Sequence, residues 1–291
     1  MKKTKDTTVI GVDLGGTKIL AGKVQNEQIV ASCKTAVPKG GSETEVLQAL
    51  YQSIDQIVDA SVMGIGIGVP SVVDTEKGIV YDVQNIPSWQ EVRLKDLMEE
   101  RYGLPVYVNN DANCFAAGEK HFGKGQNHKN FAALIVGTGI AAGLIINDRL
   151  YNGHNCGAGE FGMIPYLEHH YEYYCSGQFF TNCHGIDGQI AAQRAMKGDA
   201  EALALFKTFG HHLGNAIKAI LYAIDPGVII MGGSVSKAYP LFEKSMWESI
   251  RQFAYRNVLE DLTIEISTNP DIAVLGAAAL YFDAAPAQVK Y

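Results

Sequence analysis

The chain has 291 residues, of which 47% are hydrophobic and 19% are charged, and its formal net charge is −7. This length can bury a full core and favours two domains. The acidic balance argues against a nucleic-acid-binding surface, which needs clustered basic residues, and no apolar run approaches the length that spans a bilayer. Five irregularly spaced cysteines favour reduced thiols over a disulfide framework. We therefore expect a cytoplasmic protein with no nucleic-acid or membrane partner.

The first sixty residues predict a group of strands followed by a helix. Apolar spacing of the helical kind predicts that helix over 43–60, and Ser42 with Glu45 forms a capping box at its start. A tight turn at 13–18 separates the first two strands. The β-branched runs that predict the strands lie at 7–12, 19–24 and 29–37.

The next segment alternates apolar residues with glycine over 63–70, which predicts a strand whose glycine face lets another element approach closely. Residues 71–89 are expected to form a loop, and 94–101 a short helix. A β-rich run at 105–108 then leads to a pair of asparagines and a carboxylate.

That carboxylate, Asp111, is our candidate general base, and Asn110 is the residue expected to orient what Asp111 deprotonates. A strand would end just before them and a small-residue helix, 112–119, would follow. In open α/β folds ligands bind at the carboxyl ends of the strands. The alternative is that Asp111 only caps the following helix, which is a common use of aspartate.

A second β-rich block repeats the first hairpin. Strands are predicted at 131–136 and 140–147 around the turn Gly137-Thr138-Gly139. Each residue of Gly16–Gly22 has a counterpart 121 positions later, ending with Gly143. Two halves built on one hairpin plan would produce this match, although two glycine turns can also coincide because they share turn chemistry.

The remainder predicts helices and strands around one irregular stretch. Residues 151–185 are rich in Gly, His, Tyr and Cys, and a long irregular segment in a compact domain is usually functional or mobile. A polar, glycine-rich stretch at 118–130 predicts the domain boundary. The helices are expected at 186–196, 199–224, 241–255 and 272–282, and the strands at 228–231 and 262–267.

The glycine turns can bind phosphate. In the first turn, Gly15 and Gly16 allow positive φ, so that backbone N–H groups converge on an anion, and Thr17 and Lys18 add donors. Asp13 could hold a divalent cation through water. Gly137, Thr138 and Gly139 could form a second such turn, and Gly232-Gly233 follows a further buried strand. Phosphoryl transfer needs such a set, namely phosphate clamps, a metal site and a base.

These motifs together resemble the sugar kinase, Hsp70 and actin superfamily and, within it, the ROK family of sugar kinases and sugar-responsive repressors. The resemblance runs from about residue 7 to about residue 283. Asp13–Thr17, Asn110-Asp111, Gly137–Gly139 and Gly232-Gly233 match the phosphate-1, catalytic, phosphate-2 and adenosine motifs. Further matches are Gly68-Val69-Pro70-Ser71, Asn85 with Trp89, Ala158-Gly159-Glu160-Phe161-Gly162, Glu172 with Ser176-Gly177, and Leu275–Ala279.

The resemblance implies an α/β protein of the two-domain actin-like ATPase (ribonuclease H-like) fold with a cleft between its domains. Residues 1–120 and 273–291 would form the first domain, and 121–272 the second. The implied function is ATP- and Mg²⁺-dependent phosphorylation of a hexose or amino-hexose hydroxyl, as in glucokinases, fructokinases and N-acetylhexosamine kinases. A homodimer is expected, because two-fold dimers are the commonest assemblies. The implied sugar-binding residues are Pro70, Ser71, Asn85, Asn110, Asp111, Glu160 and Glu172.

The chain departs from the family at its zinc site. Members commonly carry a histidine and a cysteine run that bind structural zinc, whereas Met163 stands at the histidine position and the cysteine run is missing. We therefore expect no structural zinc. The departure leaves open an alternative, a catalytically weak sugar-binding sensor or regulator. Only six residues precede Thr7, too few for the DNA-binding domain of the repressors, so we expect the enzyme.

Overall fold

The computed structural model describes residues 7–83 and 85–284. Its strands are, in chain order, β1 (Thr8–Leu14), β2 (Lys18–Gln25), β3 (Gln28–Ala36), β4 (Val62–Val69), β5 (Val72–Asp74), β6 (Ile79–Tyr81), β7 (Glu91–Val92), β8 (Val106–Asn110), β9 (Phe131–Val136), β10 (Ile140–Ile146), β11 (Arg149–Leu150), β12 (Pro165–Tyr166), β13 (His169–His170), β14 (Val228–Gly232) and β15 (Thr263–Ile266). Its α-helices are α1 (Glu43–Asp55), α2 (Leu94–Tyr102), α3 (Asp111–Phe122), α4 (Tyr171–Cys175), α5 (Gln178–His184), α6 (Gly188–Met196), α7 (Ala200–Ile224), α8 (Tyr239–Ile250), α9 (Val258–Asp261) and α10 (Ile272–Ala284).

The chain forms two compact units. Unit 1 contains the chain up to Lys129, Gly143–Ala158 and the chain from Thr268 onward, and unit 2 contains Asn130–Ala142 and Gly159–Ser267. The sequence prediction placed single crossings near residues 120 and 273, whereas the chain here also returns to unit 1 within β10. Hydrophobic periodicity does not mark a division that falls inside a strand. The ends of the predicted first domain, 1–6 and 285–291, lie outside the described residues.

Unit 1 is built on a sheet with the strand order β3-β2-β1-β4-β8. β1 pairs antiparallel with β2 and parallel with β4, and β4 pairs parallel with β8. Buried parallel strands require nearly continuous apolar sequence, which β1 and β4 supply. In the register of these strands Asp13 lies opposite Gly68, and Gly68 lies opposite Asn109. The carboxyl ends of β1, β4 and β8 therefore share one edge.

The glycines of β1 and β4 let the helix α10 lie directly on this sheet. A side chain at Gly11 would overlap the carbonyl oxygen of Val274, and one at Gly66 would overlap that of Ala277. The predicted close approach to the glycine face is confirmed. The approaching element is α10, which is far from β1 and β4 in the sequence.

The second sheet repeats the plan of the first, with the order β11-β10-β9-β14-β15. In both sheets a hairpin strand lies beside the first strand, and two parallel strands follow on its other side. β14 pairs parallel with β9 and with β15. The interpretation of the repeated hairpin as one plan used twice is confirmed in the strand order.

Helix α7 is the longest described helix and packs against α8. Gly210 and Gly214 make the close approach possible, since a side chain at either position would overlap atoms of Ser245 or of Met246 and Ser249. No helix in the described residues is long and apolar enough to cross a membrane.

The helix α1 shows where local signals succeed and fail. Its capping box is confirmed: Ser42 N donates to Glu45 Oε2 at 2.8 Å, and Glu45 N donates to Ser42 Oγ at 3.3 Å. The predicted end at residue 60 is wrong, because the helix ends at Asp55. Ile57 continues the apolar pattern from a turn and is still buried in the core, which the periodicity does not distinguish from helix.

Two segments expected to be irregular contain regular structure. Residues 71–89 include β5 and β6, which form a small antiparallel sheet with β7. Residues 151–185 include the β12–β13 hairpin and the helices α4 and α5. Strands of two or three residues are too short to show an alternating pattern, and short helices likewise give little periodicity.

Candidate active site

Asp13, near the end of β1, and Asp111, directly after β8, lie at the same carboxyl edge of the unit 1 sheet. Both carboxylates act on the buried thiol of Cys114, whose pKa is raised first by burial and then by the charges of Asp111 and Asp13. Asp13 is half-buried at the end of β1. Burial raises the pKa of its carboxyl, and the positive charge of Lys18 partly opposes that rise. The edge thus carries two carboxylates and one cationic side chain.

The strand β8 and helix α3 meet at the predicted catalytic pair. Asn110 is the N-cap of α3, and its Oδ1 accepts a hydrogen bond from Ala112 N at 2.8 Å. Asp111 is the exposed first residue of the helix, and its Oδ1 accepts from the same N–H at 2.9 Å. The alternative that Asp111 is the N-cap of the helix is therefore wrong. The cap is its neighbour, and the helix N-terminus favours a negative charge at residue 111.

A buried polar network holds this junction in place, and sequence analysis missed it. Asn109 Oδ1 accepts from Asn110 N at 2.8 Å, from Asn113 Nδ2 at 2.9 Å and from Cys156 Sγ at 3.1 Å. Its Nδ2 donates to Asn152 Oδ1 at 3.0 Å. These hydrogen bonds restrain the backbone and side chains around the junction, although the buried Asn113 Oδ1 has no hydrogen-bond partner among the described residues. The only signal in the sequence was the tandem Asn109-Asn110 pair.

The first glycine turn serves a steric purpose here. Neither Gly15 nor Gly16 has positive φ, so the predicted conformational reason for these glycines is wrong. Gly15 N donates to Lys18 O at 2.9 Å. A side chain at Gly16 would overlap the side chain of Asn85, so the turn and the predicted sugar-binding asparagine lie against each other. Thr17 and Lys18 are exposed beside them.

The Pro70-Ser71 turn lies next to the catalytic pair. Asn110 Nδ2 donates to Ser71 O at 3.2 Å, and Ser71 Oγ donates to Tyr81 O. Pro70 follows the last residue of β4 and is half-buried. Within unit 1 the structure therefore brings together the predicted substrate-binding residues Pro70, Ser71, Asn110 and Asp111.

In unit 2 the two remaining glycine motifs lie at the same edge of the second sheet. Gly232 is opposite Ile135 in the β9–β14 register, so both strands end there together. Gly137 and Gly139 have no positive φ, whereas Gly233 has φ +90°. A side chain at Gly233 would overlap Val136 O, and one at Gly139 would overlap the carboxylate of Glu172. As Gly16 does in unit 1, Gly139 owes its lack of a side chain to the close approach of a neighbour, whereas a side chain at Gly137 would meet only ordinary contacts.

Glu160 is presented by a loop that lies flat on β10. Gly159, at φ +95°, and Gly162 each lie so close to β10 that a side chain would overlap the carbonyl oxygens of Ala142 and Ile140. Phe161 between them is buried, whereas Glu160 is exposed. The surrounding protein still removes part of the water from the Glu160 carboxyl, and this desolvation raises its pKa, with the charge of Glu172 as a second cause.

Glu172 lies at the phosphate-2 turn as well as near Glu160. Its Oε2 accepts from Ile140 N at 3.2 Å, directly after the turn, and its Oε1 accepts from Gln178 Nε2 at 3.0 Å. A carboxylate can accept about four hydrogen bonds. Glu172 can therefore hold the turn and still accept further hydrogen bonds from hydroxyl groups. Gln178 carried no signal in the sequence.

The segment that departs from the zinc motif is packed by aromatic rings. Tyr166 stacks on Tyr171 with ring centroids 4.4 Å apart, and His169 stacks on Tyr173 at 3.9 Å. Met163 is 58% exposed. Within residues 7–83 and 85–284, no three His, Cys, Asp or Glu side chains form a group that could hold a metal ion. The absence of structural zinc stays a prediction.

The two five-stranded sheets have the same strand order, and glycine turns and acidic residues lie at the carboxyl ends of their parallel strands. This arrangement defines an actin-like ATPase fold of the sugar kinase, Hsp70 and actin superfamily. The ROK family model matches residues 9–284. The chain therefore belongs to the ROK family, and both the predicted fold and the predicted family are confirmed.

Relatives of the chain include enzymes and a regulator. A glucokinase from Streptomyces coelicolor is 30% identical over 261 residues, covering 78% of this chain and 82% of the relative. A ROK family glucokinase from Streptomyces griseus, solved in complex with glucose and AMPPNP, is 29% identical with a TM-score of 0.79, covering 94% and 98% of the two chains. A putative xylose repressor from a Caldicellulosiruptor species is 26% identical, covering 94% of this chain and 77% of the relative.

Proposed function

We propose that the protein catalyses ATP- and Mg²⁺-dependent phosphorylation of a hexose or amino-hexose hydroxyl. The observation that carries the proposal is the exposed carboxylate of Asp111, fixed at the junction of β8 and α3 beside Asn110, at the same edge of the sheet as Asp13. The similarity to glucokinases and to the glucose and AMPPNP complex supports the same conclusion.

Asp111 is the general base of the proposed reaction. It accepts the proton of the attacking sugar hydroxyl as the bond to the γ-phosphorus forms, while ADP leaves. An ordinary ionised aspartate suffices, since in phosphoryl transfer the base mainly orients the hydroxyl and removes its proton late. Asn110 would orient the hydroxyl, because its backbone N–H is held by Asn109 Oδ1 and its side-chain amide by Ser71 O.

The residues around Asp13 fit a magnesium ion. Mg²⁺ prefers oxygen ligands and keeps several of its waters, and a partly buried carboxylate that is disfavoured as a bare charge gains from a nearby cation. Asp13 would hold the ion through water, with Thr17 and Lys18 beside it. When bound, the ion neutralises charge on the phosphate oxygens. Gly15 and Gly16 would let the nucleotide phosphates approach the turn.

Unit 2 would supply the remaining nucleotide and sugar contacts. Gly137, Thr138 and Gly139 would bind phosphate, and Gly232-Gly233 would accommodate the adenosine. Within unit 2, Glu160 and Glu172 would accept hydrogen bonds from sugar hydroxyls. Within unit 1, Asn85, Pro70 and Ser71 are likewise proposed as sugar-binding residues. Two carboxylates suit this role because each can accept hydrogen bonds from several hydroxyl groups and so fix the orientation of the sugar ring. A homodimer remains our prediction for the assembly.

The second candidate is a catalytically weak sugar sensor or regulator. Met163 at the histidine position favours it, and so does the similarity to a putative xylose repressor. Asp13, Asp111 and the Gly137–Gly139 turn argue against it, because a protein that only binds sugar needs neither a base nor phosphate contacts.

A coupled kinase assay separates the two candidates. Purified protein with Mg·ATP is tested against glucose, mannose, fructose, N-acetylglucosamine and N-acetylmannosamine, with Asp111→Asn as the inactive control. We expect sustained turnover with at least one sugar that the control abolishes. Sugar binding in calorimetry without turnover on any sugar would reject the kinase and support the sensor.

A further inference from the structure

The phosphate-2 turn is held through all of its carbonyl oxygens. Gly137 O accepts from Gly177 N at 2.7 Å, and Thr138 O accepts from Gln178 Nε2 at 3.2 Å. Gly139 O accepts from Gly137 N at 2.9 Å. A carbonyl that accepts a hydrogen bond directs its negative end at the donor. Because Gly137 N is engaged within the turn, the N–H groups that could contact an anion there are those of Thr138 and Gly139.

The side-chain amide of Gln178 makes two of the contacts around this turn. Its Nε2 lies 3.2 Å from Thr138 O and 3.0 Å from Glu172 Oε1. An amide nitrogen has two donor hydrogens, and both acceptors here are oxygens without a proton to give. The amide orientation is therefore set by its neighbours, with the amide oxygen 3.5 Å from Asn182 Nδ2.

Gln178 and Glu172 together bracket the turn. Glu172 Oε2 accepts from Ile140 N at 3.2 Å, on the far side of Gly139 from Thr138. The chain of contacts thus runs from Thr138 through Gln178 and Glu172 to Ile140. Gly139 within it leaves no room for a side chain beside the carboxylate. A displacement of the Gln178 amide would release one side of the turn and one oxygen of Glu172 together.

We propose that Gln178 is a positioning residue for the nucleotide: it holds the Gly137–Gly139 turn in the conformation that receives the phosphates, and it links the turn to the carboxylate that contacts the sugar. This inference rests on the proposed function, since it assigns the turn to phosphate and Glu172 to sugar. In this role Gln178 acts through Thr138 and Glu172, and the expected effect of changing it is mainly on the affinity for nucleotide.

The test compares Gln178→Glu and Gln178→Ala with the parent, and with Gln189→Ala, an exposed glutamine of α6, as the matched control. Glutamate has nearly the shape of glutamine but places an acceptor against Thr138 O and Glu172. AMPPNP affinity is measured by calorimetry with Mg²⁺, and steady-state kinetics are measured with the fastest sugar of the panel. We expect Gln178→Glu to weaken AMPPNP binding by at least about tenfold, because two donor contacts become repulsive. Gln178→Ala should weaken it less, and Gln189→Ala should not.

The pattern of constants distinguishes positioning from general damage. KM for ATP should rise with the AMPPNP dissociation constant, while the sugar dissociation constant measured without nucleotide should rise clearly less, because Ile140 N still holds Glu172 Oε2. Equal losses of sugar and nucleotide affinity with a lower Tm would overturn the proposal as a mere folding effect. Gln178→Glu with the parent's AMPPNP affinity and KM would overturn it while the kinase stands. A parent that neither binds AMPPNP nor turns over would remove both proposals.

Discussion

Replacing Asp111 by asparagine tests the assignment of the base most directly. Asparagine keeps the shape of the side chain, and its Oδ1 can still accept the Ala112 N–H that Asp111 accepts at 2.9 Å. Asn110 remains as the cap of α3. The change therefore removes the negative charge and the ability to take a proton while it keeps the hydrogen bond from Ala112 N.

The structure separates the expected effects on stability and on rate. Losing a negative charge in the first turn of a helix costs about 0.3–1 kcal/mol of unfolding free energy, which for units of this size is a Tm shift of about 2–4 °C or less. Removing a general base typically lowers kcat by about 10²–10⁴-fold. We therefore expect Asp111→Asn to be folded and to bind sugar, but to have lost most of its turnover.

The matched control is Asp96→Asn, which changes an exposed aspartate in the first turn of α2, also in unit 1. Both variants are measured by thermal unfolding, by calorimetric sugar binding and by the coupled assay. The control should keep the parent's kcat. If Asp111→Asn turned over within about threefold of the parent, Asp111 would not be the base.

Asp13→Ala should raise the KM for Mg·ATP far more than the sugar dissociation constant, and a calorimetric loss of sugar affinity with intact nucleotide use would contradict its assignment. Desolvation and the charge of Glu172 raise the pKa of Glu160 above its ordinary 4.5. Its carboxyl therefore becomes protonated as the pH falls through a range above that value. Once protonated, it can no longer accept hydrogen bonds from two hydroxyl groups as a carboxylate does. Sugar affinity should therefore weaken on acidification in that range. Glu160→Gln should flatten the profile, whereas Glu168→Gln should keep it; an unchanged profile in Glu160→Gln would argue against the contact. Elemental analysis should find well under one zinc per chain, and EDTA should leave Tm unchanged; stoichiometric metal whose removal unfolds the protein would refute this.

The sequence alone was sufficient for the fold and the family. The motifs that carried the resemblance are local: glycine turns after apolar strands, and an Asn-Asp pair between a strand and a helix. Such signals depend on residues that are close in the chain, so they survive without an alignment. The repeated hairpin was visible for the same reason, and the two sheets have the same strand order.

The reasons behind several motif residues became clear only in the tertiary structure. Glycine was expected at positions 16 and 139 for positive φ, whereas it is required because Asn85 and Glu172 pack against those turns. The glycines of β4 indicated a close neighbour, but the neighbour, α10, is about two hundred residues further along the chain. Sequence spacing carries no information about such contacts.

Hydrogen bonds between distant side chains were likewise decided by the tertiary structure. Cys156 is one of five irregularly spaced cysteines that carried no signal in the sequence, yet its thiol donates to Asn109 and so supports the Asn110-Asp111 junction. Gln178 had no feature that set it apart from other glutamines, and its amide bridges two acceptors only because the chain folds back on the phosphate-2 turn. The types of residue that do the chemistry can be read from the sequence, because they follow local motifs. The residues that hold them in position cannot, because a side chain becomes a support only when folding brings its partner within about 3 Å.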